Sequence, residues 1–168
     1  MSESPARIAE RAALYASGRG VNLKQQPLGF GKDGTVFATD KATAIKVHAG
    51  RASFDRELAA YGRLAKHEVI DVAGHRVPQL EYSDGELLVI EMTIVTRPFL
   101  LDFGDAYLDE APQFPDEVIE QWHEKGIERF GAARWERVQL VIATLRGQYG
   151  VILLDVNPGN ITFSGGEG

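Results

Sequence analysis

The chain predicts an α+β fold: a small antiparallel sheet carrying one helix, followed by a mainly helical part that ends in a short hairpin. Three observations lead there. Residues 28–47 hold two β-prone runs joined by the polar turn Thr39-Asp40-Lys41, the pattern of an antiparallel hairpin. Residues 51–65 place Phe54, Leu58, Tyr61 and Leu64 at helical spacing. From Ala133 to Arg146, Trp135, Val138, Val141, Ile142 and Leu145 make a second helical apolar stripe, and the apolar run from Val151 follows it.

Bulk properties bound the answer. A chain of 168 residues buries a real core, as one domain or two small lobes. Hydrophobic content of 44% and charged content of 25% are ordinary for a water-exposed globular protein. The net charge of −6 gives no general pull toward nucleic acid or an anionic membrane. Without cysteine there is no disulfide or thiolate metal site, which suits a cytoplasmic setting. The four histidines are scattered and lack zinc-ligand spacing. No apolar run approaches bilayer length, and the N-terminus has no signal-peptide stretch.

In order, Ser4-Pro5 opens a helix to about Ser17, with Ile8, Ala12 and Tyr15 on one face and Gly18 and Gly20 ending it. Next, Gly29, Gly31 and Gly34 stand at i, i+2 and i+5 before Val36. That spacing lets backbone N–H groups approach phosphates, although a glycine-rich hairpin alone also explains it. Lys46 interrupts the apolar strand Ala44-Ile45-Lys46-Val47; it reads either as a lysine snorkelling to solvent or as one neutralising phosphates. Within the helix of 51–65, Glu57 lies beside the buried stripe. Val77–Tyr82 and Glu86–Val95 are expected as strands around Ser83-Asp84-Gly85, with Leu87–Ile90 forming a buried central run.

Beyond Arg97-Pro98, the apolar Phe99-Leu100-Leu101 leads into Asp102-Phe103-Gly104. Helices are expected near Asp116–Lys125 and at Ala133–Arg146. The final stretch, Val151 to Phe163, carries an apolar strand ending on Asp155, a Pro158-Gly159 turn, and Asn160 five residues after the Asp. Alone it also reads as a hairpin whose Asp and Asn cap turn hydrogen bonds.

Taken in order, Gly29-x-Gly31-x-x-Gly34-x-Val36, Ala44-Ile45-Lys46, Glu57, the hinge-like Ile90-Glu91-Met92-Thr93 and Asp155-x-x-Pro158-x-Asn160 resemble the protein-kinase-like superfamily. That superfamily includes protein kinases and small-molecule phosphotransferases. The resemblance covers Leu28 to Phe163. It implies a protein-kinase-like α+β fold: residues 1–95 form an N-terminal helix, a nucleotide-binding β lobe and the hinge, and residues 96–168 form a reduced helical lobe. It further implies ATP and Mg²⁺. Gly29, Gly31 and Gly34 would cover the phosphates, and Val36 and Ala44 would roof the adenine. Backbone groups of Glu91 and Thr93 would read its edge. Lys46, held by Glu57, would contact the phosphates, Asp155 would act as base, and Asn160 would bind the metal.

The sequence also departs from the pattern. Leu153 stands where a His is usual, and Asn157 where protein kinases commonly have Lys; Asn157-Pro158-Gly159 is closer to small-molecule phosphotransferases. No activation segment or Ala-Pro-Glu motif is present. The second metal-binding Asp is expected about a dozen residues after Asn160, and the given sequence reaches Gly168 first. We therefore expect Asp102 to supply that carboxylate from a rearranged position; the alternative makes Phe99–Tyr107 a plain connector. The function expected is transfer of the γ-phosphate of Mg-ATP to a hydroxyl of a protein or small molecule. A catalytically impaired nucleotide-binding module and a nucleotide-free α+β interaction domain are the alternatives. Glu117, Glu120, Glu124 and Glu128 read as a solvated helix face or an acidic surface for a cationic acceptor. Apolar surface left by so short a helical lobe would suit a homo-oligomer.

Overall fold

The computed structural model describes residues 3–164. Its elements are α1 (Pro5–Arg19), β1 (Leu23–Gly31), β2 (Gly34–Thr39), β3 (Thr43–His48), α2 (Arg51–Lys66), β4 (Asp71–Val72), β5 (His75–Arg76), β6 (Leu80–Asp84) and β7 (Val89–Thr93). There follow β8 (Ala106–Leu108), α3 (Asp116–Phe130), α4 (Ala132–Tyr149) and β9 (Val151–Leu153). Five strands form one antiparallel sheet in the order β1-β2-β3-β7-β6.

Alternation along the central strands decides what each face carries. Ala44 on β3 and Ile90 and Met92 on β7 join the larger core, which includes Phe54, Tyr61 and Leu64 of α2. Ile45 and Val47, with Val89 of β7, pack instead with Ala12, Tyr15 and Ala16 of α1. Lys46 and His48 have the register of Ala44 and so face α2. Lys46 is therefore an inward-facing charge in a buried strand, with 7% exposure.

Helix α1 begins as its sequence dictates: Ser4 caps it, Pro5 occupies the first turn, and Gly20 closes it in the left-handed region at φ 68°. Its attachment to the sheet is polar as well as apolar. The Glu91 carboxylate accepts from Tyr15 Oη at 2.9 Å, Arg19 Nε at 3.0 Å and Thr43 Oγ1 at 2.8 Å, with its side chain 1% exposed. Burial would raise its pKa, but these donors from Thr43, Arg19 and Tyr15 outweigh that and hold it below the ordinary value.

Several strand boundaries differ from the sequence reading, β1 starting back at Leu23 and β7 ending at Thr93. Leu87 and Leu88 lie in a turn, because the Asp84 carboxylate captures the amides of Glu86 and Leu87, both at 2.9 Å, and Leu88 has φ 53°. The preceding strand starts at Leu80 rather than Val77, since Pro78 has no N–H to give a ladder.

The second half is built on a helix pair and short β pairings. α3 and α4 join through Gly131 at φ 80°, a conformation glycine tolerates. Gly126 of α3 lies directly against the Trp135 indole, where any Cβ would overlap the ring. β8 pairs antiparallel with β9, and Leu100 bridges to Ile161. The larger core is continuous across both halves, from Phe54 and Ile90 to Trp135, Leu145 and Leu153. Among the described residues no helix is long and apolar enough to cross a membrane.

Replacing Glu91 by Ala would strand three donors facing one buried position. The expected cost is about 2–4 kcal/mol in urea-derived unfolding free energy. Glu91→Gln, which keeps the shape and one acceptor, should lose less; equal small losses for both would contradict the anchoring role.

Candidate active site

A cleft of ≈ 790 Å³ opens beneath the β1–β2 hairpin, bounded by β3, the end of β7 and the segments around Asp102 and Asp155. Its floor is an ionic cluster. Lys46 Nζ lies 2.6 Å from Glu57 Oε2 and 3.2 Å from Asp102 Oδ1. The same Glu57 oxygen is 2.7 Å from Nε2 of the fully buried His48, while Oε1 accepts the Phe103 amide at 3.3 Å. One glutamate thereby joins β3, α2 and the Asp102-Phe103-Gly104 segment.

The electrostatics follow from that packing. Burial alone would lower the pKa of Lys46, yet Glu57 and Asp102 reverse the effect and raise it. Burial alone would raise that of Glu57, yet Lys46 and the His48 hydrogen bond bring it below the ordinary value. Both groups are therefore charged at neutral pH.

Asp102 and Asn160 are brought together by backbone pairing. Leu101 N donates to Asn160 O at 2.7 Å, Thr162 N to Phe99 O at 3.0 Å, and Phe99 N to Thr162 Oγ1 at 3.0 Å. Beyond Gly104, β8 pairs with β9, the strand that leads into Asp155. The Asp102 segment is thus clamped to the chain on both sides of the Asp155 loop, although it comes earlier in sequence. Asn160 Nδ2 sits 3.2 Å from Asp102 Oδ2, and Asp102 holds φ 67°, a conformation uncommon outside glycine.

The remaining expected residues distribute as follows. Gly29, Gly31, Gly34, Val36, Ala44, Lys46, Glu57, Thr93, Asp102, Asp155 and Asn160 line the cleft. Gly29 and Gly31 face open space, whereas Gly34, at φ 153°, is required by packing: a Cβ there would overlap the Val47 carbonyl oxygen. The two hinge residues differ in their surroundings. Glu91 turns its carboxylate to the α1 side of the sheet and does not line the cleft. The Thr93 amide donates to Gln79 O at 2.9 Å. Because β7 lies between β3 and β6, ladder partners flank its backbone on both sides. The cleft wall continues past Thr93 into Ile94 and Val95.

Asp155 is exposed at the rim, and its carboxylate accepts no hydrogen bond among the described residues. The turn after it is held by Asn157, whose Oδ1 accepts from Gly159 N at 2.9 Å and whose carbonyl accepts from Asn160 N at 3.0 Å.

Sequence reasoning missed His48, Asp33, Lys32 and Asp105. His48 was detectable, two residues from Lys46 on the same strand face. Asp33, in the hairpin turn, has its pKa raised by burial and then by Asp105 and Asp102. Lys32 Nζ reaches Asp105 Oδ2 at 3.0 Å and fastens the hairpin tip to the segment after Gly104. That contact joins residues 73 positions apart and left no local signal.

In its fold this combination resembles the protein-kinase-like arrangement: an antiparallel sheet, a strand lysine paired with a helix glutamate, and the Asp155–Asn160 loop across a shared cleft. No protein-family model and no curated protein sequence matches the chain. Solved structures do. A streptomycin–ATP–APH(2'')-IIa ternary complex matches at 16% identity and TM-score 0.43, over 95% of this chain and 43% of that one. The ADP-bound aminoglycoside phosphotransferase APH(2'')-Ib matches at 16% and 0.44, over 90% and 42%. A gentamicin–APH(2'')-IIa complex matches at 16% and 0.46, over 95% and 43%. The chain therefore spans less than half the length of these proteins.

Two outcomes test the site as a structure. Gly34→Ala should lose at least about 2 kcal/mol of stability, from backbone strain and the overlap with Val47; an unchanged urea midpoint would refute the packing. Glu57 has a lowered pKa in the folded state, so its contribution is complete above its ordinary value of 4.5 and is lost as the pH falls through the lowered one. The stability difference between wild type and Glu57→Gln should therefore hold constant from neutral pH down to the ordinary value of 4.5 and shrink below it. A difference independent of pH would exclude the charged pair.

Proposed function

We propose that the protein is an ATP-dependent phosphotransferase that moves the γ-phosphoryl group of Mg-ATP to a hydroxyl of an acceptor. The observation that carries this reading is the position of Asp102. Its carboxylate lies 3.2 Å from Lys46 Nζ and 3.2 Å from Asn160 Nδ2, within a cleft roofed by a glycine-rich hairpin and edged by Asp155.

Phosphoryl transfer depends chiefly on positioning and charge neutralisation. Lys46, fixed by Glu57, presents a positive charge to the phosphates, and the open glycines of the hairpin tip let backbone N–H groups come close. Apolar Val36, Ala44 and Met92 line the cleft and would pack against the adenine. Asp155 orients the acceptor hydroxyl and takes its proton, while the acceptor oxygen bonds to the γ-phosphorus and ADP departs with the electron pair of the broken P–O bond. His48 and the Phe103 amide keep Glu57 in place and so act on Lys46 through it.

The donor set fits a hard divalent cation. The carboxylate of Asp102 and the side-chain amide of Asn160 offer oxygen ligands, and Asp33, whose pKa is raised first by burial and then by Asp105 and Asp102, adds a further carboxylate to the same cleft. Among the described residues no three His, Cys, Asp or Glu side chains gather closely enough to hold a metal alone. That is the situation of magnesium bound by one or two protein ligands plus phosphate. When bound, magnesium would neutralise phosphate charge.

Mg-ATP at about 100-fold its Kd should raise the unfolding free energy by about 2.7 kcal/mol. No shift would overturn the nucleotide reading. Asp155→Asn should leave that shift intact and lower transfer by about 10²–10⁴-fold. Binding by the wild type without γ-phosphate loss would instead assign a nucleotide-binding module without turnover.

A further inference from the structure

A second, smaller cleft of ≈ 200 Å³ lies on the other side of Asp155, lined by Trp122, Lys125, Gly126, Arg129 and Trp135 with Leu154–Val156. Asp155 is the one residue common to this cleft and the nucleotide cleft. We propose that the smaller cleft is the acceptor subsite and that it takes a small hydroxylated anion, a compound carrying an alcohol and either a carboxylate or a phosphate. The proposal rests on the phosphotransferase reading and adds the acceptor class to it.

The cleft is built rather than incidental. Trp122 Nε1 donates to Leu154 O at 2.9 Å, which fixes its ring beside the Asp155 loop. The two indoles meet edge-on at 4.8 Å, and Gly126 gives Trp135 its place by having no side chain. Arg129 Nη1 reaches toward Val156 O at 3.4 Å. Neither Lys125 nor Arg129 forms an ion pair among the described residues, so both charges remain available to a ligand.

Helical periodicity separates charge on α3. Positions 122, 125, 126 and 129 share the face turned to Asp155, while Glu117, Glu120, Glu124 and Glu128 fall on the opposite side. The acidic face is therefore not the surface beside the base, and a cationic acceptor gains nothing from it at that point. In a chain of net charge −6, the helix side facing the base carries two cations. A ligand anchored by its anionic group on Lys125 and Arg129 would place its hydroxyl at Asp155. The hydroxyl oxygen then bonds to the γ-phosphorus, the bond to the ADP oxygen breaks with its electron pair going to ADP, and the proton passes to Asp155.

The chain has two tryptophans, and both line this cleft, so their emission reads it directly. The experiment titrates the full chain with glycerate, glycerol 3-phosphate, glycerol, glucosamine and inorganic phosphate at constant ionic strength, with Mg-ATP binding followed separately by thermal shift. At least one of the two hydroxylated anions should change the emission saturably and accept ³²P from γ-labelled ATP, and which of them does so identifies the anionic group. Glycerol and glucosamine should do neither. Lys125→Glu and Arg129→Glu should each weaken the responding anion at least about tenfold, equivalent to about 1.4 kcal/mol, with circular dichroism checking that each variant is folded. Equal binding of the neutral or cationic probes, unchanged affinity in both variants, or inorganic phosphate binding as tightly as the hydroxylated anions would overturn the acceptor assignment. If Mg-ATP binds while neither anion perturbs the tryptophans, this inference fails alone; if Mg-ATP does not bind, the parent reading fails and takes it along.

Discussion

The buried contact between Lys46 and Glu57 is the constraint on which the other features depend. An ammonium group at 7% exposure is costly unless paired, and Glu57 at 1% exposure is in the same position. Each satisfies the other at 2.6 Å, but the glutamate has further capacity, which His48 and the Phe103 amide fill. Such an ion pair adds little net stability compared with a well-packed apolar substitute. Its effect is positional: β3, α2 and the Asp102 segment each contribute a group to one shared cluster.

The opposite side of the sheet repeats the same physics with a different purpose. Glu91 is also a buried carboxylate with several donors, but its donors come from α1 and β3. It anchors a helix rather than a site. The two carboxylates show why a buried charge is not itself a mark of function; what distinguishes Glu57 is that its cation opens onto a cavity.

Much of this was legible in the chain. Helical spacing located α2 and α4 closely, and the interruption of an apolar strand singled out Lys46, because a charge at a core register position demands a partner. The strand boundaries were read less well. Composition marked Glu86 to Val95 as one strand and its apolar run as central, which it is, but the Asp84 carboxylate intercepted two amides and delayed its start. The acidic residues of α3 were conspicuous in sequence, while the two cations between them, turned toward Asp155, were not. Their meaning depends on which side of α3 meets the loop, and tertiary packing alone sets that.

The bridge between Leu100 and Ile161 has a consequence for assembly. The excursion between those two residues contains α3 and α4, so the two halves of the cleft are joined only after a long closure whose entropy the helix pair helps to offset. During synthesis the sheet, Lys46, Glu57 and Asp102 emerge well before the loop that carries Asp155 and Asn160. The Gly126–Trp135 contact, which packs α3 against α4 within that excursion, therefore bears on how the segment carrying Asp155 and Asn160 docks. The larger cleft is thus completed across a long stretch of chain whose closure depends on two helices packing around one missing side chain.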